Sequence, residues 1–411
     1  MTRKTILFFN VFFIFDFLFK FYKKIISTPF TYSYTEQSNF VNYSQGFIRR
    51  GLFGELTKTV AKLNLDPFIF IQVFSLTIFI MVILFFYKTF KKNNYSLNFL
   101  FLPFTISYAF LSGFVYFKDY FQIFLIFIIA DLLKKKFKKN IIKYLIINII
   151  SIIGILIHEI FFFISIPFIF IFLVNQNYQP KKLIITALKS FGIVLPSFFA
   201  LIMTIINHGN PEMAKGIYLD TLNYIPKYAF DYGVEVTGAI NSLGHDSSFK
   251  LSYMFKGLIW NGFSRGVAYL FFTITLLYIT LYFNNLKQNS KKSFTPNLFF
   301  IFCFQLLAML PIFVIAIDWS RFISLCLLSS LVYFMELKHI SIKPIFSHRI
   351  KQFATISDKI FSTFIHSNKQ MFYVVCYFCI IPYLEFGNRP WTFTNSIIML
   401  MNYITKVISI M

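Results

Sequence analysis

Apolar residues recur along this chain in blocks of about 17 to 25, separated by short breaks rich in lysine, arginine or acids. Blocks of that length suit helices that cross a bilayer: about 20 residues span the hydrocarbon core, and a helix pairs its own backbone groups where no water can. The pattern predicts helices over residues 5–24, 67–87, 97–117, 120–133, 141–157, 160–174, 183–206, 258–283, 297–317, 322–337 and 370–386, with a further apolar segment at 393–411. The short apolar–polar alternation of a membrane barrel is missing. The expectation is an all-α, polytopic integral membrane protein of about 11–12 transmembrane helices. No internal repeat divides the chain, so residues 1–411 read as a single transmembrane helical domain.

Composition supports this pattern. A chain of 411 residues with 57% hydrophobic residues, 61 phenylalanines and 13% charged residues cannot dress a water-soluble fold. The formal charge of +23 would point to nucleic acid in a soluble protein, but here it must first be divided between the two sides of the membrane. Arg3 and Lys4 precede a first apolar block that contains Asp16 and has no small-residue cleavage site, which reads as a retained helix. With the N-terminus cytoplasmic, alternate loops place Lys88, Lys91 and Lys92, then Lys134, Lys135, Lys136, Lys138, Lys139 and Lys143, on the inner side. Lys181, Lys182, Lys189, Lys287, Lys291 and Lys292 follow, and then the basic linker 338–369. The acids on that side are Asp131, Glu336 and Asp358. This is the positive-inside pattern, so the lipid bilayer accounts for the charge and no nucleic-acid partner is expected.

The same assignment puts most acids and arginines on the outer side, in the segments 27–66 and 207–257 and at helix ends. Leu52–Leu65 is amphipathic and is expected along the membrane surface. The second segment carries Glu212, Asp220, Asp231, Glu235, His245 and Asp246 among glycine, proline and tyrosine, and is expected to fold as a cap. Cys303, Cys326, Cys376 and Cys379 all lie in apolar runs and read as packing residues.

Candidate chemistry gathers at these outer positions. Residues 43–54 combine Gly46, Gly51 and Gly54, which let backbone come close to a ligand, with Arg49 and Arg50, planar cations suited to phosphate oxygens. Headgroup anchoring, or pairing with Glu36 or Glu55, is the plain alternative. His158 and Glu159 meet at a helix turn among apolar neighbours. A desolvated carboxylate there would have a raised pKa, and the imidazole could orient it or share its proton. This is no H-E-x-x-H zinc motif, because position 162 is Phe162. Asp318 and Arg321 flank Trp319 and Ser320; either they pair locally, or Arg321 faces an anionic substrate that Asp318 orients. Lys118–Asp119 and Glu385–Arg389 are weaker versions of the arrangement. Nucleotide-phosphate loops and compact metal-ligand sets are missing from the sequence, so no cofactor or metal is expected.

Taken together, residues 43–54, the His158–Glu159 turn and residues 318–322 resemble Wzy-type O-antigen and capsule polysaccharide polymerases, over about two dozen residues within a similar hydrophobic layout. The resemblance implies a bacterial cytoplasmic (inner) membrane enzyme. It would move a glycan from an undecaprenyl diphosphate carrier onto the sugar end of another carrier-linked unit at the extracytoplasmic face. A polyprenyl-diphosphate-linked glycan would be the substrate, and a chain-length regulator the protein partner. By analogy Arg49, Arg50 and Arg321 would hold diphosphate or acidic sugar groups, with Gly46, Gly51, Asp119 and Arg389 completing the binding site. Glu159, His158 or Asp318 would deprotonate the acceptor hydroxyl, Glu159 being preferred. The chain departs from some such polymerases in having no arginine followed by glycine after ten intervening residues. A GT-C-like glycosyltransferase using a polyprenyl-phosphate sugar would need the same charges, whereas a lipid-linked oligosaccharide flippase or other transporter would spread its cations along a central cavity.

Overall fold

The computed structural model describes residues 3–22, 34–102, 118–177, 180–226, 238–244, 298–315 and 319–337, with a few isolated positions between 252 and 280. Among these residues every regular element is helical. The longer ones are α1 (Arg3–Phe21), α2 (Gly51–Lys62), α3 (Pro67–Lys92), α4 (Asp119–Lys134), α5 (Asn140–Ile157), α6 (Ile160–Gln176), α7 (Leu183–Ile206) and α8 (Pro211–Leu222). They are followed by α9 (Leu298–Ala308), α10 (Leu310–Ile315) and α11 (Trp319–Leu337). α3, α5 and α7 are long and apolar enough to cross a membrane, and α1 and α6 contain shorter apolar helices. Their outer faces expose Ile69, Val73 and Leu84 on α3, Ile141 and Leu145 on α5, and Ile184, Leu188 and Ile206 on α7. Stripes of that kind would be a liability in water and are the natural surface toward lipid. The protein is therefore an all-α membrane protein.

Local sequence explains several boundaries. Asp66 caps α3, its carboxylate accepting from the N–H groups of Phe68 at 2.8 Å and Ile69 at 3.2 Å, and Pro67 stands at the first helical position. The predicted helix 297–317 is split into α9 and α10 at Met309, two residues before Pro311, which has no N–H to continue the ladder. The predicted helix 97–117 begins as a single tight turn at Leu97–Phe101, and its remainder lies outside the described residues. The segments 370–386 and 393–411, the linker 338–369, nearly all of 258–283, and Cys376 and Cys379 also lie outside them. Cys303 and Cys326 are free thiols packed among apolar neighbours.

The bundle has two chemically different ends. α4 and α11 lie side by side and run in the same direction. Arg321 grips Asp119 at their N-terminal ends, while Lys134 meets Glu336 at their C-terminal ends, where Thr89 of α3 also reaches Glu336. The second end carries Lys91, Lys92, Lys134, Lys135 and, across short connections, Lys138, Lys139, Lys181 and Lys182. It is the lysine end; the other is the arginine end. Between them, several buried polar groups bond one another across helices, where water is absent. Gln305 accepts from Ser329 at 2.7 Å and Ser330 at 2.5 Å and donates to the Ile164 carbonyl at 2.8 Å. Ser165 and Tyr333 share a hydrogen bond of 2.7 Å. Asp16 is likewise buried in α1.

A second apolar cluster, separate from the main core, covers the arginine end. It joins Phe40, Val41, Ile48 and Phe53 to Phe68 and Ile71 of α3, Ile157 of α5, Ala214 and Ile217 of α8, and Ile240 and Leu243. The described parts of segments 27–66 and 207–257 thus fold into one cap. Polar links reinforce it: Asp220 accepts from Asn42 at 2.9 Å and from Lys58 at 2.8 Å, and Asn42 also donates to the Tyr224 hydroxyl at 3.0 Å. The stretch Leu52–Leu65, expected along the membrane surface, turns Phe53, Gly54 and Thr57 inward against this cap and leaves Leu56, Leu63 and Leu65 exposed. Of the cap's expected residues, Asp231, Glu235, His245 and Asp246 lie outside the described residues.

Candidate functional site

The polypeptide reaches the arginine end along a tight path. Gly46, with φ of 96°, turns the chain after a hydrogen bond from its own N–H to the Tyr43 carbonyl at 3.1 Å. The Arg49 N–H donates to the Asn207 carbonyl at 3.0 Å, tying the motif to the end of α7. Arg50 then adopts φ 64° and ψ 8°, a left-handed conformation that costs a residue with a Cβ about 1–2 kcal/mol, and α2 begins at the next residue. Gly51 and Gly54 are each closely approached by the protein itself. A Cβ on Gly51 would stand 2.2 Å from the Tyr43 ring, and one on Gly54 would stand 1.9 Å from the Val41 carbonyl oxygen.

Opposite this turn, α5 ends at Ile157 and α6 starts at Ile160, so the extended His158 and then Glu159 make the whole connection. The reversal is this sharp because Gly154 leaves room for the Phe161 ring, which a Cβ there would approach to 2.6 Å. Gln122 of α4 donates to the His158 carbonyl at 3.3 Å and steadies the turn. Glu159 is thereby delivered to Arg50. The Arg50 Nε lies 2.8 Å from Oε2 and 3.1 Å from Oε1, and a second guanidinium nitrogen bonds Oε1. Arg49 stands 3.8 Å from the same carboxylate.

These contacts overturn two sequence expectations. Burial alone would raise the Glu159 pKa, but the Arg50 charge and hydrogen bonds, with Arg49 behind them, hold it well below the usual carboxylate range. The His158 Nδ1, 3.5 Å from Glu159, accepts the Ile160 N–H at 3.3 Å, which places the ring proton on Nε2; it has no Nδ1 proton to share with Glu159. Burial and then Arg50 keep His158 neutral, with its pKa well below the ordinary value.

Arg321 does not face open space: among the described residues its carboxylate partner is Asp119. Its Nε and one terminal nitrogen each lie 2.7 Å from an Asp119 oxygen, with 6% and 4% of the two side chains exposed, a bidentate pair closed off from water. Asp318 and Arg389 lie outside the described residues. Lys118, which the sequence presents as an ordinary flanking lysine, is buried at the centre of the cluster. Its ammonium donates to the Ser38 carbonyl at 2.8 Å and the Arg50 carbonyl at 3.5 Å, and lies 5.7 Å from the centre of the Phe53 ring. Burial, and then the neighbouring charge of Arg50, push its pKa down to about 7; Glu159 opposes this and Arg321 adds to it. The one sequence signal for Lys118 is its place beside Asp119 in a break between apolar blocks.

Four cations, Arg49, Arg50, Lys118 and Arg321, thus converge with the two carboxylates Asp119 and Glu159 and the neutral His158 from four separate parts of the chain. Asp119 is committed to Arg321. Glu159 is the carboxylate seen to meet both arginines, and among the described residues of this cluster four cations face two carboxylates under a cap, an arrangement suited to an anionic group. Arg50, with 29% of its side chain exposed, is the most accessible of the paired cations. Comparison of the chain with protein-family models, with curated proteins and with solved structures finds no match.

Proposed function

We propose that this membrane protein joins lipid-linked oligosaccharide repeat units, acting as a polysaccharide polymerase at the face that carries the arginine end. The observation that carries the reading is the convergence of Arg49, Arg50 and Lys118 on one carboxylate, Glu159, at one end of a helical membrane bundle. A polyprenyl diphosphate brings its charged group to that depth while its lipid tail stays beside the apolar helix faces. The diphosphate is also the leaving group of the transfer, so the cations that bind it stabilise the charge that develops as the anomeric bond breaks. The acceptor hydroxyl needs one proton acceptor, a role assigned to Glu159. Arg321 acts at one remove, as the partner that holds Asp119 and the start of α4 against α11. With the lysine end cytoplasmic, the positive-inside rule puts this chemistry on the extracytoplasmic side.

The test is deletion in the native host followed by electrophoresis of surface glycans. Loss of long chains with a single repeat unit retained is the expected result. Loss of every unit would mean a flippase or an earlier step, and an unchanged ladder would remove the reading.

A further inference from the structure

We infer that Glu159 is an exchangeable counter-anion: a diphosphate group enters the site by displacing the Glu159 carboxylate from Arg50. The inference deepens the proposed function, and its second consequence below rests on that reading.

Three observations carry it. First, the bidentate grip of Arg50 on Glu159 is the geometry with which an arginine holds two phosphate oxygens, so carboxylate and ligand compete for one fork. Second, the backbone at Arg50 is pinned. Its carbonyl accepts from Lys118, the preceding N–H is bound to Asn207, and the next residue opens α2. The guanidinium stays where it is, and the exchange needs only a side-chain rotation of Glu159. Third, more than one cation acts at the exchange point. Arg49 stands 3.8 Å from the Glu159 oxygen that Arg50 also holds, and Lys118 feels the charges of both Arg50 and Glu159, so a multiply charged anion gains more from these groups than a single carboxylate does.

The exchange has a chemical consequence. While bound to Arg50, Glu159 is a poor base, because the cations that hold it favour its charged form. Once displaced, it remains beside His158 in a largely desolvated turn but has lost its bidentate partner, so its proton affinity rises. Donor binding and arming of the base become one event. The proton of the acceptor hydroxyl passes to a Glu159 oxygen, and the acceptor oxygen forms its bond to the anomeric carbon. The bond from that carbon to the diphosphate oxygen breaks, its electron pair leaving on the diphosphate. Without a donor in place the base stays masked.

The experiment is equilibrium binding of inorganic pyrophosphate to purified protein in lipid nanodiscs. If Glu159 is an internal competitor, Glu159→Gln binds pyrophosphate about tenfold tighter than wild type, and adding Arg50→Ala to that variant abolishes the gain. Unchanged or weaker binding by folded Glu159→Gln overturns the proposal. Should that variant misfold, infrared difference spectra of the wild-type protein decide. Pyrophosphate must shift a carboxylate band that is missing in Glu159→Asp at the same frequency, and a spectrum without a carboxylate change overturns the exchange. Polyprenyl diphosphate in the nanodisc that displaces the probe assigns the anion to a lipid carrier, and failure to displace it assigns a free diphosphate. None of these readings requires glycosyl transfer. An intact surface-glycan ladder on deletion would remove the polymerase reading and leave the exchange standing; lost chains with no tightening in Glu159→Gln would do the reverse.

Discussion

The pair formed by Asp119 and Arg321 gives the sharpest energetic prediction. With 4% and 6% of the two side chains exposed and two contacts of 2.7 Å, neither group has water to fall back on. Asp119→Leu leaves the Arg321 guanidinium buried without its bidentate carboxylate, which costs about 3–5 kcal/mol, and Arg321→Met strands Asp119 at a similar cost. Replacing both should recover most of the loss, because a buried pair exchanged for apolar residues of similar volume is close to neutral. The coupling energy from the double-mutant cycle, the two single losses less the small loss of the double variant, is therefore predicted at about 5 kcal/mol or more, above the usual range for contacting residues. It is measured by reversible denaturant titration of the four proteins in nanodiscs, followed by tryptophan fluorescence. The double variant should also bind pyrophosphate nearly as wild type does, since Arg321 braces the bundle at one remove from the ligand. Coupling below about 0.5 kcal/mol, or loss of pyrophosphate binding in a stably folded double variant, would refute the assignment of Arg321 as a strut.

Other predictions follow from neighbouring features. Gly54→Ala drives a methyl group into the Val41 carbonyl and should destabilise the cap by about 1–3 kcal/mol, whereas Gly192→Ala, with nothing within 4 Å, should stabilise α7 slightly; thermal melts of both variants check the contrast. Lys118, with a pKa near 7, is mostly neutral at pH 8. An anion beside it favours the ammonium over the opposing charges of Arg50 and Arg321, so pyrophosphate binding at that pH should take up about one proton at most, and affinity should rise as pH falls through 7. Calorimetry in two buffers of different ionisation enthalpy measures this uptake, and Lys118→Met should abolish it. Single cysteines at Ser44 and Asn210 should react with an impermeant thiol reagent added from outside, and one at Ser290 should not; the opposite pattern would put the arginine end in the cytoplasm.

The helices are legible in the sequence because their signal is local: a long apolar block bounded by charge has few other solutions in a bilayer. α3, α5 and α7 lie within a few residues of their predicted limits for that reason. Most members of the candidate site were legible as residue types at the ends of such blocks, since Arg49, Arg50, Asp119, His158, Glu159 and Arg321 are polar groups where polarity is unusual. Their pairing was not. Arg321 lies three residues after Asp318, which suggested a local pair, and Asp318 lies outside the described residues; the partner seen is Asp119, 202 positions away at the start of α4, along which α11 packs. The masked state of Glu159 depends on a contact 109 positions away, which no local pattern encodes. Lys118 was undervalued because its burial comes from the Ser38 carbonyl and the Phe53 ring, both brought in by the cap. Gly51 and Gly54 carried a genuine signal of close approach, but what approaches is the protein's own Tyr43 and Val41.

The measurement that tests the central claim most directly is elongation by purified protein reconstituted in nanodiscs with polyprenyl-diphosphate-linked repeat units, the products being resolved by gel electrophoresis. Wild-type protein is predicted to convert single units into a ladder of longer chains and to release polyprenyl diphosphate. Arg50→Lys keeps the charge but loses the planar fork, so it should insert and fold normally yet elongate at least about tenfold more slowly. No ladder from folded wild-type protein, or the same ladder from Arg50→Ala, would contradict the account.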